Sequence, residues 1–78
     1  MKLTLNDLGK TFEFEYLSRR GELILLKGIL TFNEEELRCE LDNIELVSHK
    51  DKYHKDYFTC LYYNDMKMRN FKEVLLWN

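Results

Sequence analysis

A chain of 78 residues with a formal net charge of −2 has room for one domain, spanning 1–78, and lacks the strongly basic balance of a general nucleic-acid binder. Its 45% hydrophobic and 14% aromatic content supplies a core, although a domain of this length buries only about 60–65% of the surface of its unfolded chain. Ala, Pro and Gln are absent while Leu, Ile, Thr, Tyr and Phe abound, which favours strands over helices.

Residues 2–8 alternate weakly at Leu3 and Leu5, yet Leu5 and Leu8 share a helical face, so a short helix or an edge strand is expected there, closed by Gly9. Residues 11–17 form the clearest strand, with Phe12, Phe14 and Tyr16 facing the core and Glu13 and Glu15 facing water. Ser18-Arg19-Arg20-Gly21 reads as a hairpin loop in which Gly21 supplies a positive φ. The apolar run Leu23 to Leu26 predicts a strand covered on both faces. Gly28 within the same pattern marks a bulge or bend, the device by which small barrels turn a corner.

After a polar turn at 33–36, Leu37, Cys39 and Leu41 alternate with Arg38, Glu40 and Asp42, placing Cys39 on the core face. Asp42-Asn43 predicts a second tight turn, followed by a short strand at 44–47. Residues 48–56 carry no apolar period and read as an exposed loop. Residues 56–71 predict two strands folded back on a turn at Asn64-Asp65, and 73–78 a last strand or helical turn whose Val74, Leu75 and Trp77 seal one end. Five or six short strands at this spacing predict an all-β fold, or a mainly β one with a short helix: a small antiparallel SH3-like or Sm-like barrel.

Charge is unevenly distributed. Residues 21–46 carry two cations against seven anions, and residues 47–78 six cations against four anions. No apolar run reaches the roughly 18 residues of a membrane span, and Met1-Lys2 leads into a segment without a signal-peptide core. A cytoplasmic setting with Cys39 and Cys60 as free thiols, and no membrane association, is therefore the expectation.

Three chemistries can be weighed from the residue types. Cys39, Cys60, His49 and His54 are metal-ligand types, but no two share the close spacing of zinc pairs, so no metal and no cofactor is expected. Cys60 with His54 and Asp56 is the one nucleophile–base arrangement to consider. Cys60 lies in a strand, where burial in apolar surroundings would leave the thiol inert, and no enzyme is expected. Tyrosines beside Lys and Arg, by contrast, suit a binding face, because Tyr and Arg are enriched at the energetic centres of interfaces. The second hairpin gathers them: Tyr57, Tyr62, Tyr63, Lys67, Arg69 and Lys72 form the expected binding set.

Asp56-Tyr57-Phe58 with Cys60 two positions on resembles the start of the signature strand of WYL domains, and Arg69-Asn70-Phe71-Lys72 falls where that family carries an Arg-x-Phe-Arg sequence. Phe14-Glu15-Tyr16 and Gly21 are similar to its first hairpin. Together the resemblance covers 11–32 and 56–76. It implies an Sm-like barrel in which Tyr57 and Arg69 line a ligand or nucleic-acid surface. The leading expectation is a non-enzymatic module that binds a protein, in keeping with a small phage or mobile-element accessory protein that inhibits a host or defence protein. The alternatives are a WYL-like module binding single-stranded nucleic acid or a nucleotide, and a homodimer formed through an edge strand.

Overall fold

The computed structural model describes residues 2–75. A single turn of 3₁₀ helix, η1 (Leu5–Asp7), precedes five strands: β1 (Thr11–Leu17), β2 (Leu23–Asn33), β3 (Arg38–Leu46), β4 (Cys60–Tyr62) and β5 (Met68–Glu73). The Thr4 hydroxyl accepts from Asn6 N–H, and the Asp7 carboxylate accepts from Thr4 N–H, so each side chain satisfies a donor that the short helix leaves free. Gly9 closes the turn at φ 86°.

All strands lie in one antiparallel sheet of order β4-β3-β2-β1-β5. The inner face of β1 carries Phe12 and Phe14, and that of β2 carries Ile24, Leu26 and Leu30, all buried. Tyr16 is half-buried beside them. Each fully buried large side chain contributes about 1.5–3 kcal/mol relative to exposure. The alternate residues of the apolar run on β2 point outward, so the run is covered on one face only: Leu23 is exposed and Leu25 half-buried. The hairpin loop at 18–21 forms as expected, with Gly21 at φ 80°.

Two bulges bend this sheet. Between Lys27/Glu45 and Ile29/Asp42 the β2–β3 register gains one residue on β3, and between Glu13/Lys72 and Glu15/Arg69 the β1–β5 register gains one on β5. In each the extra stretch holds an asparagine in the left-handed region, Asn43 at φ 53° and Asn70 at φ 56°, the conformation Asn tolerates better than other side chains. Asn43 therefore marks a bulge within one continuous strand, and the tight turn and separate strand predicted at 42–47 are replaced by the second half of β3. Gly28 sits opposite that bulge. A Cβ there would lie 2.8 Å from Ile44 Cδ1 and 3.2 Å from the Asp42 carbonyl oxygen, so the bend requires its absence.

The hairpin predicted at 56–71 does not form. β4 pairs with β3 and β5 with β1, so the two lie on opposite edges of the sheet, joined by a turn at 65–67 in which Asn64 Oδ1 accepts from Met66 N–H. Curling brings these edges together through side chains. The rings of Tyr63 and Phe71 lie 5.7 Å apart, Phe14 stacks on Phe71 at 5.1 Å, and the Tyr63 hydroxyl accepts from Leu3 N–H. Among the described residues no backbone ladder joins β4 to β5, and the sheet is open where a closed barrel was expected. Of the predicted sealing residues, Val74 donates its N–H to the Thr11 carbonyl, Leu75 is exposed, and Trp77 lies outside the described residues. No described helix is long and apolar enough to cross a membrane.

Candidate functional site

The six residues expected to share one face occupy separate places. Arg69 and Lys72 are exposed on β5, directly opposite Glu15 and Glu13 of β1. Arg69 Nε is 3.7 Å from Glu15 Oε1, whereas Lys72 faces Glu13 across the ladder without a direct ion pair among the described residues. Tyr62, on the far edge, is half-exposed beneath the Arg38 guanidinium, whose carbon lies 3.3 Å from the ring centroid. Tyr63 is half-buried against Phe71 and closes the core. Lys67 is exposed in the turn, where its carbonyl accepts from Leu17 N–H. Lys72 borders a shallow hollow with Glu13, Glu15 and Asn70, and Tyr57 lies in a cleft lined mostly by aromatic and basic side chains.

That cleft has a volume of about 490 Å³ and opens between the β1–β2 loop and the 48–58 segment. Its lining combines the aromatic rings of Tyr16, Tyr53, Tyr57 and Phe58 with the basic side chains of Arg19, Arg20, Lys52 and His54. The rings form a tilted array: Tyr53 to Tyr57 at 5.2 Å, Tyr57 to Phe58 at 4.8 Å and Tyr16 to Phe58 at 5.7 Å between centroids. Tyr57 retains 66% of its surface exposed.

Glu22, the first residue after the β1–β2 loop, fastens the other wall. Its carboxylate accepts from the Lys52 ammonium at 2.5 Å and from the Tyr53 hydroxyl at 3.0 Å, with His49 Nε2 at 3.9 Å. The Lys52 hydrogen bond, then that of Tyr53, holds the Glu22 carboxyl below its ordinary pKa, while loss of water and the Glu22 charge raise that of the Tyr53 hydroxyl. Ser48 Oγ accepts from Leu25 N–H at 2.8 Å and contacts His49 Nδ1 at 2.7 Å. The 48–56 stretch is thus a surface loop as expected, but a fastened one, with Tyr53 half-buried on the core cluster.

Arg19, Arg20, Tyr16, Lys52 and Tyr53 were absent from the sequence-derived set. The adjacent arginines ahead of a loop glycine, and the Tyr53-x-x-x-Tyr57 spacing in a polar stretch, are signals that could have found Arg19, Arg20 and Tyr53. Both arginines are exposed, and neither has an ion-pair partner among the described residues.

Cys60 departs from its predicted core position. It is exposed on the outer face of β4, opposite Asp42, and its thiol donates to Glu40 Oε1 at 3.5 Å. Glu40 is buried and also accepts from Asn33 Nδ2, while Asp42 accepts from the Thr31 hydroxyl at 2.6 Å. Loss of water around the sulfur, then the Asp42 and Glu40 carboxylates, push the thiol up to about 12. The thiol keeps its proton at neutral pH and acts as a hydrogen-bond donor. The ligand-type atoms of Glu40, Asp42 and Cys60 lie within 4.8 Å of one another, so Cys60 converges with two acids rather than with Cys39, His49 or His54. His54 Nδ1 lies 3.8 Å from Asp56 Oδ2, and His54 lines the cleft, whereas the thiol's partners are Glu40 and Asp42. Cys39 is half-buried against the core, as its alternation predicts, whereas Leu37 is 76% exposed at a left-handed φ of 54°.

No family model matches the chain, and comparison with curated proteins and with solved structures likewise found no match.

Proposed function

We propose that this chain is a non-enzymatic intracellular module that binds another protein, with the Tyr53–Tyr57 cleft as its working surface and an acidic segment of the partner as its target. One observation carries the reading: Arg19 and Arg20 line the same cleft as Tyr16, Tyr53, Tyr57 and Phe58 and have no ion-pair partner among the described residues. Unopposed cations steer an acidic partner, and exposed tyrosine and arginine supply contact area at low ordering cost. Cys60, the nucleophile weighed from sequence, is flanked by acids and holds its proton, which is consistent with a role that needs no chemistry. A small acidic accessory protein of a phage or mobile element, inhibiting a host or defence protein, is the biological setting that suits such a module.

Binding to immobilised acidic peptides tests this. Wild-type protein is retained, the charge-reversed Arg19→Glu/Arg20→Glu variant is lost by about a hundredfold in affinity, and Tyr62→Ala/Arg69→Ala binds as wild type. Undiminished binding by the charge-reversed protein would sink the proposal.

The exposed ring of Tyr57 beside two guanidinium groups also favours a second reading, a WYL-like module that stacks a base of single-stranded nucleic acid or a nucleotide. The finer fold belongs to that reading: an Sm- or SH3-like barrel left unlaced between β4 and β5. Its support is the five-strand order, the bend at Gly28 and the Tyr63–Phe71 contact between the two edges. Oligonucleotide binding that collapses between low and physiological salt would favour it. A concentration-dependent dimer on size exclusion would instead point to pairing through β4 or β5.

A further inference from the structure

We propose that the cleft takes a phosphate monoester borne on an aromatic ring, supplied as a phosphotyrosyl side chain of the partner. The inference rests on the protein-binding reading and names the group that reading leaves open.

Charge is the first argument. Of the cleft's basic side chains, Lys52 is held by Glu22 at 2.5 Å and His54 lies beside Asp56, whereas Arg19 and Arg20 have no acidic partner among the described residues. Two free guanidinium charges match the roughly −1.5 to −2 of a phosphate monoester at pH 7, while a single carboxylate leaves one of them unbalanced. Guanidinium forks also match the tetrahedral oxygens of phosphate through paired, charge-assisted hydrogen bonds.

Preorganisation is the second. Ser18 Oγ accepts from the N–H groups of Arg20 and Glu22, both at 3.2 Å, Ser18 N–H donates to the Glu22 carbonyl at 2.9 Å, and Gly21 N–H to the Ser18 carbonyl at 3.0 Å. The backbone carrying both arginines is thereby fixed before any ligand arrives, which lowers the ordering cost of binding. The Glu22 clamp holds Tyr53 across from it.

Shape is the third. The rings of Tyr53, Tyr57 and Phe58 leave the Tyr57 surface open in the same cleft as the arginines, and the cleft's volume lies in the range of ligand sites. A ligand ring covers Tyr57 while its phosphate meets the arginines. The phosphate of an aliphatic side chain meets the arginines but leaves the aromatic lining bare.

The test is an amide-resolved NMR titration of the full chain with doubly blocked phosphotyrosine, doubly blocked tyrosine, inorganic phosphate, AMP and an unphosphorylated acidic peptide. Phosphotyrosine should shift the resonances of Arg19, Arg20 and Tyr57 and bind at least about tenfold more tightly than each other probe. Arg19→Gln/Arg20→Gln should abolish that preference and Tyr57→Ala weaken it, each with an otherwise unchanged spectrum, while Arg69→Gln leaves it intact. Equal binding of the acidic peptide overturns this inference and leaves the protein-binding reading standing. AMP binding more tightly overturns it in favour of a nucleotide ligand, and shifts with none of the five probes remove both readings.

Discussion

Two pairs of cations on this small protein differ in what surrounds them. Arg69 and Lys72 sit on β5, where antiparallel register places each opposite a glutamate of β1. Arg19 and Arg20 sit in a loop, where no register assigns them a neighbour, and they remain unopposed among the described residues. Strand pairing therefore sets the electrostatics of a side chain as firmly as its own chemistry does. The two cations on β5 each face a glutamate across the ladder, and those carried by the loop are left for a ligand.

Cys60 extends the comparison to the other edge and gives the largest expected effect. Register sets it opposite Asp42, and a thiol held near 12 should react with iodoacetamide at pH 8 about a thousandfold more slowly than an ordinary cysteine. Asp42→Asn should restore part of that rate, since loss of water around the sulfur and Glu40 still raise the thiol. Fast alkylation of the folded wild type would show that strand register does not silence the group.

The next effect concerns the bend that carries both regions. Gly28→Val places a branched side chain against Ile44 and the Asp42 carbonyl and should cost about 1–3 kcal/mol by urea denaturation, the range for overpacking. A variant as stable as wild type would mean that the bulge at Asn43 does not depend on Gly28.

A smaller effect is expected at the Glu22 clamp. Its folded-state pKa lies below the ordinary value of 4.5, so its stabilisation is complete above that value and is lost as pH falls through the lower folded one. Glu22→Gln should lower the melting temperature slightly at pH 7, speed amide exchange over 49–53, and flatten the acid side of the stability profile. The smallest effect belongs to the balanced face: Lys72→Gln should change stability by under about 0.5 kcal/mol. A larger change in chemical denaturation would show that the paired face does more than solvate the sheet.

Local pattern carried the sequence reading a long way. β1 emerged at its observed bounds because Phe12, Phe14 and Tyr16 alternate without interruption, and Gly21 and Gly28 announced a turn and a bend through what only glycine permits there. Failures arose where local and non-local information part. A turn between two apolar runs looks the same whether the flanking strands pair with each other or with strands far away, so 56–71 read as a hairpin although its arms belong to opposite edges. Asp42-Asn43 reads as a tight turn, whereas the left-handed φ of Asn43 makes a bulge within β3 instead. A position within a strand suggests burial for Cys60, yet the strand begins only at Cys60, and the more buried side chain is Leu61. The cleft was least legible, because its arginines and its tyrosines come from loops some thirty residues apart and meet through Glu22.

The join between β4 and β5 gives the molecule a direction in which to breathe. The Tyr63–Phe71 contact spans this seam, and no backbone ladder among the described residues crosses it. Parting the seam breaks no backbone ladder there, whereas parting any neighbouring pair of strands breaks one. Slow fluctuations of the fold should therefore run along this line, with β4 and β5 swinging as two flaps while β2, paired on both sides, holds the last protected amides.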